Sequence, residues 1–121
     1  MIYLKKSLAS FIHHNQDKLK CYIEEIHHLE KVDKPSGTAI ELKKFITQHD
    51  NNNFIQDIKI KSYRVANIFG THKIMFCSDN RTICFSHEAL SRKIFAEGAI
   101  MCAKSINFNK PNLYSFEDII N

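Results

Sequence analysis

The 121-residue chain has no tryptophan, two prolines and three glycines, and only three of its seventeen basic residues are arginine. Each scarcity excludes something. Gly37, Gly70 and Gly98 stand far apart, so the chain contains no G-x-G-x-x-G turn to bring backbone amides against a dinucleotide pyrophosphate. No apolar run approaches the roughly 18 residues that a bilayer span requires. The short SLASFI stretch near the start lacks the h-region and small-residue cleavage site of a signal peptide, and a cytoplasmic location is expected. Cys21, Cys77, Cys84 and Cys102 form no C-x-x-C, which argues against a zinc knuckle or a redox pair. They are expected as reduced thiols in the core.

What is present is ordinary for one globular core, with 44% hydrophobic and 25% charged residues. The net charge of +4 is carried mainly by lysine, alongside abundant isoleucine and asparagine, a bias that AT-rich codons produce by themselves. The basic pairs are scattered along the chain and do not form a patch with interleaved aromatics, so no nucleic-acid partner is expected.

Hydrophobic periodicity predicts a helix over 4–18 and a strand over 20–26, with Cys21, Ile23 and Glu25 on one face and Tyr22, Glu24 and Ile26 on the other. Ser36 or Thr38 is placed to cap a helix running to 49, and Asp50 to Asn53 read as a loop. Strands are expected over 56–65, 72–78 and 81–87, the last two forming a hairpin about Ser78-Asp79-Asn80. A helix over 91–105 follows. Its stripe of Ile94, Phe95, Gly98, Ala99, Cys102, Ala103 and Ile106 calls for burial against something, and a mid-helix glycine suggests close approach of another backbone.

The densest chemistry lies in E-E-I-H-H-L-E-K-V-D-K-P-S-G-T-A, from Glu24 to Ala39. Adjacent strand residues face opposite ways, so His27 and His28 are not a natural two-histidine chelate. His72 and His87 complete no zinc spacing, and no metal is expected. The plainer reading is that the two histidines end a strand and lead into a loop. Against it stands the rest of the stretch. Pro35-Ser36-Gly37-Thr38 at a helix start offers backbone N–H groups and a dipole end suited to a carboxylate or phosphate. A histidine titrating near neutrality and Lys31 add proton-transfer capacity, while Asp33 is placed to pair with Lys31 or to shape the turn.

These residues resemble the E-x-H-H-x-x-K-x-D-A-P-S-G-T-A signature of the 4-hydroxy-tetrahydrodipicolinate reductases, also called dihydrodipicolinate reductases, of lysine and diaminopimelate biosynthesis. The likeness continues through Arg64, Gly70-Thr71-His72, His87, Ser91-Arg92, Phe95 to Ala99 and Leu113-Tyr114.

The resemblance implies an α+β fold: an open mixed four-stranded sheet with helices on one side, as in the C-terminal domain of that family. It implies His27 and Lys31 as proton donor or acceptor, His28 as a substrate contact, and Gly37 and Thr38 as binders of a substrate carboxylate. The substrate would be a small dicarboxylate. The cofactor would be NADH or NADPH, bound mainly by a dinucleotide-binding half not encoded here, and the cofactor-binding residues stay unknown. Association into a homo-oligomer, a tetramer in the family, is also implied. On this view residues 1–90 form the substrate-binding and oligomerisation domain, and 91–121 a helical segment that packs on the cofactor half. The chain departs from the family at Ala66, where a glycine is usual, and at Lys34, where an alanine is usual. Two functions follow as expectations: a truncated or split substrate-binding half of the reductase, inactive without its cofactor half, or a non-catalytic remnant that keeps substrate binding or assembly.

Overall fold

The computed structural model describes residues 1–106 and 111–114. The chain divides into Met1–Leu90 and Ser91–Asn121. Within the first unit the elements run α1 (Ile2–His14), β1 (Leu19–His27), α2 (Gly37–His49), β2 (Ile55–Arg64), β3 (Gly70–Cys77) and β4 (Thr82–Ala89). The four strands form one mixed sheet in the order β2-β1-β3-β4. β1 and β2 are parallel, joined through α2, whereas β3 is antiparallel to both β1 and β4. This is the open mixed sheet that the resemblance implied.

The core lies between the sheet and the two helices. Leu4, Leu8 and Ile12 are buried from α1, and Ala39, Leu42 and Ile46 from α2. Spacings of three and four put each set on one helical face. They meet Leu19, Cys21, Ile23, Ile55, Ile74 and Phe76 of the sheet, and Phe11 stacks on Phe76 with ring centroids 4.8 Å apart. β1 alternates as expected, burying Leu19, Cys21, Ile23, Glu25 and His27 in turn.

Several boundaries differ from the sequence reading. α1 ends at His14, four residues early, because Asn15 turns the chain: its Oδ1 accepts from Asp17 N–H at 3.1 Å and its Nδ2 donates to Asp17 O at 2.8 Å. Ser36, not Thr38, caps α2, its Oγ accepting from Ala39 N–H at 3.2 Å. The hairpin closes as predicted, with Ser78 N–H donating to Arg81 O at 2.9 Å. The cysteines do not all belong to the core. Cys21 is buried, and burial pushes its thiol up to about 12, but Cys77 and Cys102 are half-buried and Cys84 is exposed. Cys84 lies on the edge strand β4, where only one side of the sheet is covered.

In the second unit α3 spans Lys93–Ile106, starting two residues later than expected. No residue of α3 is buried, and Ile94, Phe95, Ile100 and Met101 are exposed. The stripe finds no cover among the described residues, the exposure expected of a face whose cover is a separate half. The remainder of the expected 91–121 segment, at 107–110 and 115–121, lies outside the described residues.

Candidate active site

The inward row of β1 changes character as it approaches the strand's end. Leu19, Cys21 and Ile23 are apolar, but the next two inward positions are Glu25, wholly buried, and His27, 8% exposed. A buried carboxylate needs partners, and each Glu25 oxygen has one. Oε1 accepts from the Arg64 guanidinium, and Oε2 accepts from Ser36 N–H at 3.0 Å. Burial by itself disfavours the charge, but Arg64 and the side chain and backbone of Ser36 more than offset it and hold the carboxyl down at about 2. Glu25 is an anion throughout the neutral range.

His27 follows on the same face, its Nδ1 3.1 Å from Glu25 Oε2. The approach is close but not aligned as a hydrogen bond, which leaves Nδ1 buried and without a hydrogen-bond partner among the described residues. Burial lowers the His27 pKa, and the charges of Lys31 and Arg64 add to that, while Glu25 pulls the other way. The ring is packed from the side by Gly70, where an added Cβ would lie 3.2 Å from His27 Nε2 and 3.3 Å from Cδ2. Gly70 leaves room for the imidazole. Across the sheet His72 meets the His27 ring edge-on, with centroids 5.1 Å apart, and its Nε2 is 3.3 Å from Ser36 Oγ. Burial and the neighbouring His27 keep His72 down at about 4, so it is neutral at physiological pH.

Beyond His27 the strand breaks into the loop that leads to α2. His28 is half-buried, with its Nδ1 lacking a partner among the described residues. The two histidines do not converge, as the alternation of a strand required. Lys31 is half-buried, and its Nζ pairs with Asp33 Oδ1 at 3.1 Å. Asp33 is held below the usual carboxylate range by the Lys31 ammonium and, to a lesser extent, by the backbone N–H of Gly37. Gly37 and Thr38 are the first two residues of α2. A Cβ at Gly37 would meet nothing within 4 Å, so the helix start is open.

Arg64 ties this loop to the sheet. It stands at the end of β2, paired in register with His27, and its Nε donates to Lys31 O at 3.2 Å and its Nη2 to Asp33 O at 2.5 Å. The fold thus brings together His27, Lys31 and the α2 start around Glu25, Arg64, Ser36 and His72. The sequence reading placed Ser36 at the helix start and assigned no site role to Glu25, Arg64 or His72. One signal was available: a glutamate in a row of buried positions demands a buried cation. Ala66 occupies its place without a left-handed backbone, which Asn67 takes instead at φ 66°; the departure from glycine there introduces no strain.

Glu25, His27 and His72 offer one ligand atom each within 4.8 Å of one another, the count of a catalytic zinc site. Both Glu25 oxygens are already engaged, one by a guanidinium, so a cation there would compete with Arg64 for the same carboxylate. Glu25 and His72 are held by hydrogen bonds to Arg64 and Ser36, and His27 packs beside both.

Residues 1–120 match the family described as Dihydrodipicolinate reductase, C-terminus. The 4-hydroxy-tetrahydrodipicolinate reductase of Thermosipho africanus is 44% identical over 100 residues, covering 83% of this chain and 42% of that protein. Those of Rickettsia bellii and Staphylococcus aureus are 36% identical over 126 residues and 38% over 117, covering 96% and 85% of this chain and 49% and 48% of theirs. The chain thus spans about half the length of the curated relatives it matches. Among solved structures, a dipicolinate-bound dihydrodipicolinate reductase from Paenisporosarcina sp. TG-14 superposes with a TM-score of 0.72 at 21% identity, over 98% of this chain and 50% of that one, a likeness of fold. The chain belongs to the dihydrodipicolinate reductase family and corresponds to its C-terminal domain.

Proposed function

We propose that this chain supplies the substrate-binding and proton-handling half of a cytoplasmic 4-hydroxy-tetrahydrodipicolinate reductase. The observation that carries the reading is the convergence of His27 and the Lys31 loop on the open N-terminus of α2, all ordered around one buried carboxylate. Gly37 and Thr38 bind a carboxylate of a small dicarboxylate substrate at the positive end of the helix. That carboxylate takes over the position of Asp33 against Lys31 and the Gly37 N–H. His28 contacts the substrate. His27 and Lys31 are the proton donor or acceptor, and the Lys31 ammonium suits the donor role because a cation both stabilises developing negative charge and delivers the proton.

A nicotinamide cofactor, NADH or NADPH, would supply the hydride. The described residues do not fit its pyrophosphate: Gly37 starts a helix, the space at Gly70 is filled by His27, and no glycine-rich turn joins them. The cofactor is held mainly outside these residues, by a dinucleotide-binding half that acts as partner. The half-covered sheet, with Tyr22, Glu24, Ile26 and Met75 on the side away from the helices, supports assembly through that face into a homo-oligomer.

The test is steady-state kinetics of the chain joined to the dinucleotide-binding half of a relative. Lys31→Ala is expected to lower kcat by about a hundredfold or more, the usual weight of a positioned acid. Thr38→Val is expected to act mainly on KM through weaker carboxylate binding. Small and equal effects of the two substitutions would sink the reading.

A further inference from the structure

The loop that carries Lys31 has little packing to hold it. Leu29 is 66% and Val32 94% exposed, so its apolar side chains anchor nothing. Within the loop, Lys31 N–H donates to His28 O at 3.2 Å and Lys31 pairs with Asp33; both ends of those contacts move with the loop. At its α2 end the loop is held by Ser36 N–H on Glu25 and by the Gly37 N–H beside Asp33; across to β2 it is tied by the side chain of Arg64. Its Nε and Nη2 hold the carbonyls of Lys31 and Asp33, and its Nη1 holds Glu25 Oε1 and the Tyr63 carbonyl, the latter at 2.8 Å. Four acceptors from three segments converge on one planar cation, an arrangement that a guanidinium fork satisfies and an ammonium cannot. The backbone supports the same placement, since Val65 N–H donates to His27 O at 2.8 Å and so continues β2 past the point where β1 breaks. The other Glu25 oxygen faces His27 Nδ1, so the cation that fixes the loop also fixes the carboxylate beside His27.

We propose that Arg64 is a positioning residue: through Glu25 on one side and the Lys31 and Asp33 carbonyls on the other, it sets the place of the Lys31 ammonium relative to His27. This rests on the reading of Lys31 and His27 as the proton-handling pair. Arg64 is held at 11% side-chain exposure and acts through those two residues, with no contact to substrate required.

The experiment uses the full 121-residue chain and two variants. Arg64→Lys keeps the charge beside Glu25 but loses the fork. The double variant Glu25→Gln with Arg64→Met removes both charges, so no unpaired ion is left buried if Arg64→Lys should fail to fold. Three readouts are followed in each: hydrogen exchange of the Lys31 amide, titration of the His27 imidazole by NMR, and binding of dipicolinate by calorimetry. Exchange at Lys31 is expected to quicken about tenfold or more, the His27 titration to shift, and dipicolinate to bind about tenfold more weakly, in a chain that keeps its circular dichroism. A substitution that only lowers stability, such as Ile23→Val, leaves the His27 titration where it was. Unchanged Lys31 exchange and His27 titration in a folded variant would overturn the proposal. Unfolding of both variants would also overturn it, because Arg64 would then hold the fold and not aim the loop. Failure of the unaltered chain to bind dipicolinate counts against the dicarboxylate site instead, and the Lys31 and His27 readouts still decide the role of Arg64.

Discussion

The two ends of β1 solve the same problem by different physics. Cys21 and Ile23 are fully buried, and so is Glu25 two positions on. At the first end, helices α1 and α2 cover the strand with Leu8, Leu42 and Ile46, and burial is favourable wherever apolar surface leaves water. At the second end, burial is offset by partners of matching chemistry: Glu25 takes Arg64 and Ser36, and His72 takes Ser36 Oγ. The apolar end carries no group that titrates near neutral pH, the Cys21 thiol being pushed up to about 12, and asks of its neighbours only apolar surface that fits. The polar end is specific, pH-dependent and reactive, and the open helix start and the loop of Lys31 lie there. One strand is therefore scaffold at its beginning and site at its end.

The sharpest way to break this contrast is to remove a partner. Arg64→Ala strands the buried Glu25 carboxylate, and a loss of about 3–5 kcal/mol is expected at pH 7 from urea denaturation. The loss should shrink in acid. Folding lowers the Glu25 carboxyl from 4.5 to about 2, so the folded chain releases that proton more readily than the unfolded one. The resulting stabilisation, about 3 kcal/mol, is complete above pH 4.5 and disappears as the pH falls toward 2. In Arg64→Ala this acid limb should be absent. If the variant and the unaltered chain lose stability in parallel between pH 4.5 and 2, Glu25 is not held by Arg64 in the way described.

His72 provides a second limb at higher pH. Burial and His27 lower it from 6.5 to about 4, so on acidification the unfolded chain takes up this proton first. The contribution is full above pH 6.5 and declines until about pH 4, by about 3 kcal/mol in all. His72→Gln, which keeps a hydrogen-bonding side chain near Ser36 Oγ, should flatten the stability profile between pH 6.5 and 4 while leaving the lower limb intact. A profile that keeps its slope in this window would assign it to another group, with His27 the first candidate because burial lowers it as well.

The same contrast explains what the sequence made legible. Period-two alternation put Cys21, Ile23 and Glu25 on one face, and capping chemistry narrowed the helix start to Ser36 or Thr38, of which the structure uses Ser36. The apolar end could be read because a Leu or Ile needs only a greasy neighbour. The polar end could be read only in part, because a partner is a particular residue brought by register. Arg64 lies 39 residues from Glu25 and meets it only once β1 and β2 pair in parallel with His27 opposite Arg64; spacing along the chain carries no trace of that. Asn15 is different, since an Asn-x-Asp turn is a local signal and the overlong α1 came from following helical periodicity past it. Cys84 was misjudged for a third reason: a small apolar residue on an edge strand takes whichever face the sheet's covering leaves it.

The finest test leaves every partner in place and alters only the fit. Gly70 has an ordinary backbone conformation, since no glycine in the described residues has a positive φ. Alanine is therefore free of backbone strain there and stabilises slightly by restricting the unfolded chain, by about 0.4–1 kcal/mol. Its Cβ would stand 3.2 Å from His27 Nε2, close enough that the ring must give way by a few tenths of an ångström. His27 sits between Gly70 and Glu25 and can move only by changing its distance to the carboxylate, now 3.1 Å from Nδ1. The two effects oppose each other in stability, and Gly70→Ala is expected to change the unfolding free energy by less than about 1 kcal/mol. It should nevertheless shift the His27 imidazole resonances and their titration. Ile23→Val at the other end of the strand should do the reverse, losing about 0.5–1.5 kcal/mol with His27 unmoved. If Gly70→Ala leaves the His27 resonances in place, the glycine is not there to make room for the imidazole, and the tight seating of His27 at the end of β1 is not what distinguishes the two ends.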